Sequence, residues 1–332
     1  KVAIIGGGAA GFFSALTLAE LDPDAEIHLF EKRNQWLSKV KISGGGRCNV
    51  THACWDPREL VGHYPRGSRP LRGPFSRFAA GDAVAWFAER GVELVEEADG
   101  RMFPASNRSS SVIEALRLAA RSAGVQLLPK RALQAARPLE GGGFELQARG
   151  DSSPVLAQRL LLATGGHPSG RQLAQALGHQ VVAPVPSLFT LRVQAPWLNA
   201  LAGLSQTPVS MELIVGEERF RQQGIVLLTH WGLSGPGVLR LTAFAARALQ
   251  QQRYRAELRL NWCGGVNEPV LRDQLSQARQ GLAKKQLANG RPELLMPLRR
   301  RLWLALLQQA GLDPALSWAE LPRRGEQRLL EL

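Results

Sequence analysis

Val2-Ala3-Ile4-Ile5-Gly6-Gly7-Gly8-Ala9-Ala10-Gly11 opens the chain, and a second apolar run, Ile27 to Phe30, ends at Glu31. The pattern predicts a buried strand, a G-x-G-x-x-G turn, a helix, a second strand and an acid twenty residues beyond the last glycine. Each part has a task in holding a dinucleotide. Gly6 permits a tight turn, Gly8 leaves room for a pyrophosphate to touch the backbone, and Gly11 lets the helix pack closely on the strand. Free N–H groups at the helix start face the phosphates, where the helix dipole also favours negative charge. Glu31 can accept hydrogen bonds from the hydroxyls of an adenosine ribose. A bare G-x-G-x-x-G also arises as a structural glycine turn in a chain with 34 glycines. Here strand, turn, helix, strand and acid fall in register, and that register predicts a bound dinucleotide.

The 332 residues suffice for about two or three domains with ample core. Hydrophobic residues make up 45% and charged residues 21%, the balance of an ordinary soluble globular protein. No apolar run approaches the ~18 residues that cross a bilayer, so no membrane partner is expected. No signal peptide is visible, and the start at Lys1 rather than Met suggests a few trimmed leading residues. Cys48, Cys54 and Cys263 contain no C-x-x-C and make a poor disulfide framework, which fits a reducing cytoplasm.

The net charge is +13. Residues 1–185 carry 22 Lys and Arg against 17 Asp and Glu, and residues 186–332 carry 19 against 11, so the excess leans toward the second half. Arg299-Arg300-Arg301 and Arg323-Arg324 are its densest points. Such a face could attract RNA, acidic lipid or an anionic substrate. A solvated helix surface in an arginine-rich proteome accounts for it without a partner, and is the preferred reading.

Residues 34–78 form a long Gly-, Arg- and Pro-rich connection. A stretch of that length inside a compact domain is usually functional or carries short elements of its own. Val84, Phe87 and Ala88 share a face and predict a helix over 81–90. Ser111-Val112-Ile113-Glu114 is a capping box that starts a helix through Ser122, stopped by Gly124. Val125 to Leu128 follows as a strand, a further step of a doubly wound sheet. Phe144 to Arg149 and Val155 to Ala157 flank a polar turn and predict a hairpin. Arg159 to Ala163 reads as a buried strand ending in Thr164-Gly165-Gly166, and Arg171 to Leu177 as a short helix closed by Gly178. From 184 to 262, proline and strand-like pieces at Leu188–Val193, Val209–Val215 and Tyr254–Leu260 predict a separate, mainly β domain. From Val270 onward the spacing is helical: Leu271, Leu275, Ala278 and Leu282, then Leu298, Leu302, Ala305 and Leu306. No internal repeat or low-complexity tract is present.

Three further segments carry a family resemblance. Lys41-Ile42-Ser43-Gly44-Gly45-Gly46-Arg47-Cys48-Asn49-Val50-Thr51, Gly100-Arg101-Met102-Phe103-Pro104 and Thr229-His230-Trp231-Gly232-Leu233-Ser234-Gly235-Pro236 resemble the YhiN/BaiN-like bacterial flavoproteins, which are FAD-dependent oxidoreductases predicted to be NAD(P)H-linked. The likeness runs over nearly the whole chain in the expected order. It implies an α/β fold: a Rossmann-like FAD-binding domain over 1–187, an inserted β-barrel-like domain over 188–262 and a helical subdomain over 263–332. It also implies cofactor-binding residues. Gly6, Gly8, Ala10 and Gly11 would hold the FAD pyrophosphate, with Glu31 and Lys32 at the adenosine ribose. The segment from Lys41 through Ser43, Gly44, Gly45, Arg47, Cys48 and Asn49 would lie against the flavin. Leu133, next to Ala132, would offer backbone groups to adenine, and Thr164, Gly165 and Gly166 would cross beneath the cofactor.

The residues themselves agree with this reading. Consecutive glycines at 44–46 allow backbone N–H groups to approach an anionic or polar cofactor edge. Arg47 could supply positive charge beside reduced flavin, or form a structural ion pair. Cys48 could form a redox pair or adduct with the flavin, or fill space beneath the ring as a small buried residue. His230 is a candidate proton donor, or a histidine that bonds the turn following it; His52 is open in the same way. No metal site is expected.

Two features depart from the family pattern. Gly166-His167-Pro168-Ser169-Gly170-Arg171 passes directly into a helix where family members carry a longer Gly/Ser/Thr-rich stretch. The family chain also returns to its FAD domain with a glycine- and acid-containing segment, and this sequence stops at Leu332 about where that return would begin. Three functions compete. The first is an FAD-dependent oxidoreductase with NAD(P)H as transient reductant, since no second G-x-G-x-x-G is present, and an organic small-molecule acceptor. The second is a tRNA-acting flavoprotein, and the third a non-catalytic flavin-binding remnant. The sequence leaves the oligomeric state open.

Overall fold

Val2–Ile5 forms strand β1, Ala9–Leu21 forms helix α1 and Ile27–Phe30 forms strand β2 in the computed structural model, which describes residues 1–332. The two strands pair in parallel, from Val2 opposite Ile27 to Ile5 opposite Phe30. Arg159–Leu162 adds in parallel beside β1, and Gln126–Leu128 beside β2. All of β2 and Ala3 to Ile5 are buried, so these apolar runs lack the alternation of a half-exposed sheet. Both faces are covered. Ile4, Leu29 and Leu127 pack with Phe12 of α1 and Val112 and Leu116 of the helix Ser109–Ser122. Ala3, Ile5 and Phe30 pack the other way, with Leu146 and Leu173. That second layer consists of the antiparallel strands Leu133–Pro138, Phe144–Ala148 and Val155–Ala157, and the helix Pro168–Ala176.

Several boundaries differ from the sequence expectation for identifiable reasons. The predicted capping box does not form, and the helix begins two residues earlier, at Ser109, with no side-chain cap. Ser111 instead exchanges a hydrogen bond with Ser106, and the Ser109 hydroxyl donates to Lys41 O at 2.9 Å. The helix expected at Arg171 begins at Pro168, because His167 accepts from Ser169 N–H as its N-cap and proline suits the first helical position. The long connection contains short helices at Ser38–Ile42, Pro57–Leu60 and Arg72–Phe75. Its Thr51–His52 strand pairs with Arg101–Pro104, which pairs in turn with Leu94–Glu96.

Contacts divide the chain into two units, Lys1–Ala183 and Pro184–Leu332. In the second, five antiparallel strands run in the order Leu191–Arg192, Gly232–Ser234, Glu218–Thr229, Ser205–Val215, Glu257–Asn261. Val209, Met211, Leu213 and Val215 alternate inward along their strand, and the helix Pro236–Gln251 lays Val238, Leu241, Ala245 and Leu249 over that face. Two of these elements were not anticipated: the twelve-residue strand Glu218–Thr229, whose first half is polar, and the helix Pro236–Gln251 within the stretch read as mainly β. One hydrophobic core then continues from this sheet into the helices beyond Glu268 through Leu275, Trp303 and Trp318. Both buried indoles are satisfied: Trp303 donates to Leu287 O at 2.8 Å and Trp318 to Gly290 O at 2.7 Å. No helix is long and apolar enough to cross a membrane.

Candidate cofactor-binding site

The glycine turn is built by close approach. A Cβ at Gly11 would lie 1.9 Å from Gly6 O, and one at Gly6, whose φ is +119°, would lie 2.5 Å from Ala163 O. Gly8 differs, because nothing stands within 4 Å of its Cβ position. It serves as N-cap of α1 with no side chain closing the helix, and Ala9 and Ala10 are exposed. The start of α1 thus offers uncapped N–H groups to an open face, the arrangement that receives a phosphate.

Glu31 is held in place by the backbone. Its Oε2 accepts from Gly7 N–H at 3.0 Å and its Oε1 from Arg33 N–H at 2.9 Å. Each carboxylate oxygen keeps a second lone pair for an incoming hydroxyl. Beyond it, Arg131 N–H donates to Glu31 O at 2.9 Å and Lys130 N–H to Arg33 O at 3.1 Å, which brings the start of the Leu133 strand to the same corner. A cavity of ≈ 180 Å³ opens there, walled by Gly6, Glu31, Lys32, Leu133 and Thr164. Arg131, His167 and Ser169 also line it, and none of the three is a cofactor-binding candidate on sequence grounds. For His167 a signal existed, in the proline that follows it at a helix start.

Gly165, at φ +58°, and Gly166 continue the path. The ammonium of Lys39 stands beside them, 3.7 Å and 3.9 Å from the positions that Cβ atoms would take. Lys39 is exposed and takes part in none of the fourteen ion pairs of the chain. No motif in the sequence distinguishes it from its basic neighbours.

The loop from Lys41 to Asn49 is a run of left-handed residues: Gly44, Gly45 and Gly46 at φ +54°, +70° and +88°, then Cys48 at +66°. The Ser43 hydroxyl donates to Val40 O at 2.8 Å, and Cys48 N–H to Ser43 O at 3.0 Å, which closes the loop on itself. Lys41 and the three glycines are exposed. With the Asn49 amide assigned by its hydrogen-bonding surroundings, its nitrogen donates to Thr51 O at 2.9 Å and Met102 O at 3.2 Å and ties the loop to the Arg101–Pro104 strand.

The chemistry-bearing candidates have specific surroundings. Arg47 pairs with Glu97, reaches Asn107 Oδ1 at 3.3 Å and lies 3.9 Å over the Phe103 ring, so the ion pair is the role the geometry contains. Cys48 is buried, and burial pushes its thiol above the usual range, which keeps it protonated at neutral pH. His52 bonds Asp99 O at 3.0 Å. His230 is exposed in the second unit, and the turn after it is bonded by Thr229, whose hydroxyl donates to Gly232 O at 2.9 Å. No cluster of His, Cys, Asp or Glu is placed to hold a metal.

Comparison with known proteins identifies the lineage. The family model described as HI0933-like protein Rossmann domain matches residues 1–282. The chain belongs to this family. It is 27% identical to the 3-dehydro-bile acid delta(4,6)-reductase of Clostridium scindens, over 100% of this chain and 82% of that protein. It is 28% identical to the ribosomal RNA dihydrouridine synthase of Haemophilus influenzae, over 91% of this chain and 73% of the other. The Escherichia coli protein of the same name is 26% identical, over 98% and 78%. The family resemblance, the Rossmann-like FAD-binding fold class and the reading of the chain as an FAD-dependent oxidoreductase are borne out. The site also fits FAD on its own geometry, through an open approach at Gly8, a fixed acid at Glu31, a cavity beyond it and a free cation at Lys39.

Proposed function

We propose that this HI0933-family chain is a reductase that uses NADH or NADPH, through FAD, to saturate a C=C bond conjugated with a carbonyl in an organic acceptor. The observation that carries it is the placing of the uncapped α1 start, Glu31 and, beside Gly165 and Gly166, Lys39 just beyond the carboxyl ends of the parallel strands. The names of the relatives support the reaction class. Removing Δ4,6 unsaturation from a 3-dehydro steroid and making dihydrouridine both add hydrogen across such a bond.

FAD supplies the hydride chemistry when bound, and the protein supplies binding, orientation and electrostatics. In this reading the N–H groups around Gly8, Ala10 and Gly11, with Lys39, hold the diphosphate. Glu31 takes the ribose hydroxyls, Lys32 and Leu133 flank the adenine side, and Thr164 to Gly166 run beneath. The exposed amides of Gly44 and Gly45 face the flavin, Arg47 fixes the shape of their loop through Glu97, and Cys48 fills space as a neutral thiol. The test is anaerobic mixing of the FAD-loaded protein with NADH and with NADPH. Bleaching of the flavin band by one of them is expected, and bleaching by neither removes the nicotinamide reading.

A second reading places the acceptor base within an RNA. Arg299, Arg300, Arg301, Arg323 and Arg324 are all exposed, and none forms an ion pair with a carboxylate. Two relatives are named for ribosomal RNA. Retention of ribosomal RNA fragments that weakens steeply with salt favours this acceptor, whereas turnover of a free enone with no RNA retention favours the small molecule.

A further inference from the structure

We propose that a second cavity in the first unit, distinct from the one at Glu31, binds the phosphate-bearing adenosine half of the nicotinamide reductant. This rests on the nicotinamide reading above. The cavity measures ≈ 860 Å³ and lies between the turn Asn34–Trp36, Lys41, the helix Ser109–Ser122 and the edge strand Gln126–Leu128. It shares no lining residue with the ≈ 180 Å³ cavity. The two lie on opposite faces of the parallel sheet: Ile113 and Leu127 belong to the layer of Phe12, whereas Phe30 and Leu133 belong to the other. The Trp36 ring closes the back of the glycine turn, since a Cβ on Gly7 would come within 2.3 Å of it. A ligand in this cavity is therefore separate from one laid across Gly8.

The lining has the chemistry of a nucleotide site. Lys41, Arg117 and Arg121 face Glu114, and none of the four is engaged in an ion pair, so the wall carries an excess of free positive charge. Arg117 Nε is buried and has no hydrogen-bond partner. A buried donor left unpaired is costly, and an acceptor oxygen brought by a ligand removes that cost. The side-chain amides of Asn34 and Gln35 are exposed at the rim and can read a base edge. Ile113, Val125, Leu127 and Pro129 supply an apolar wall and Trp36 a flat face, which suit a heteroaromatic ring. The volume falls in the usual range for small-molecule sites. Lys41 stands two residues before Ser43, at the start of the glycine loop read as facing the flavin. The chain has no second G-x-G-x-x-G, so the reductant must dock on something else, and this is the basic concavity nearest that loop in sequence.

The test uses the FAD-loaded chain and two redox-inert probes, 5′-ADP and 2′,5′-ADP, titrated calorimetrically into wild type, Arg117→Gln and Arg121→Gln. One probe is expected to bind wild type, with affinity falling about tenfold in each variant, as loss of one charge-assisted phosphate contact implies. The KM for the matching nicotinamide nucleotide should rise by a similar factor while bound flavin per chain stays constant. Arg121 is exposed, so its variant keeps the test valid if Arg117→Gln folds poorly. Failure of both probes to bind wild type, or equal binding by wild type and variants, overturns the proposal even if NAD(P)H bleaches the flavin. Probe binding that depends on these arginines in a protein that neither nucleotide reduces also overturns it as a reductant site, and sinks the nicotinamide reading separately. Binding of an RNA oligonucleotide that the arginine changes abolish, with no affinity for either probe, would assign the cavity to an RNA backbone instead.

Discussion

The N–H of Gly7 donates to Oε2 of Glu31 at 3.0 Å, so the acid that ends β2 also braces the turn that begins α1. Gly7 is buried, and removing its acceptor leaves a buried donor unpaired. Glu31→Ala should therefore do two separable things. The apo-protein should lose roughly 1–3 kcal/mol in urea unfolding, and FAD affinity, read by flavin fluorescence titration, should fall about tenfold or more. An unchanged unfolding midpoint would show that the turn does not depend on the carboxylate.

Gly8 and Gly11 should separate folding from cofactor binding. Alanine at Gly11 meets Gly6 O at 1.9 Å, which the backbone must move to relieve, at a cost of about 3 kcal/mol or more. Alanine at Gly8 meets nothing within 4 Å. Gly8→Ala should melt within a degree or two of wild type yet bind FAD several-fold more weakly, because the added methyl occupies the approach to the backbone. Equal thermal shifts in the two variants would contradict this division.

What could be read from sequence followed the range of the interactions. β1, α1 and β2 were legible because strand, turn and acid lie within 31 residues and each element's burial is written in its own apolar run. The strand Glu218–Thr229 was not, since Glu218-Arg219-Phe220-Arg221-Gln222-Gln223 shows solvent its polar side and is a strand only because Ser205–Val215 pairs with it. The helix Pro236–Gln251 was hidden by its small residues, which pack on the sheet through Ala245 and Ala248. In the site, Gly6 and Gly11 announced themselves, whereas the Arg47–Glu97 pair spans 50 positions. Lys39 meets Gly165 across a still longer separation. Nothing local to either cation distinguishes it.

Alkaline titration should expose Cys263. Burial pushes its thiol up from 9.0 to about 11 in the folded chain. The folded state then holds a proton that the unfolded state has released, so unfolding becomes easier as pH rises between these values. The stabilisation is whole below pH 9.0, shrinks through the interval and is gone above about 11, a loss of about 3 kcal/mol by the linkage relation. Comparing wild type with Cys263→Ala across this window isolates the effect from lysine and tyrosine titration. Parallel pH profiles for the two proteins would show that the thiol does not titrate this way.

Lys39 yields the most direct prediction about the cofactor. Its ammonium stands beside Gly165 and Gly166 with no carboxylate partner, so its charge is available to an anion on that path. An exposed charge acts through solvent and is screened within a Debye length of about 8 Å at physiological salt. FAD binding should therefore weaken measurably between low and high salt. Lys39→Met keeps most of the side chain's length, removes the charge and should raise the Kd about five- to tenfold at low salt. The same variant should flatten the salt dependence, and that second readout separates charge from packing. If the Kd rises but the salt slope is unchanged, the loss comes from local repacking around the substituted side chain and not from the ammonium's charge. If neither changes, the diphosphate does not pass between Lys39 and the Thr164–Gly166 turn.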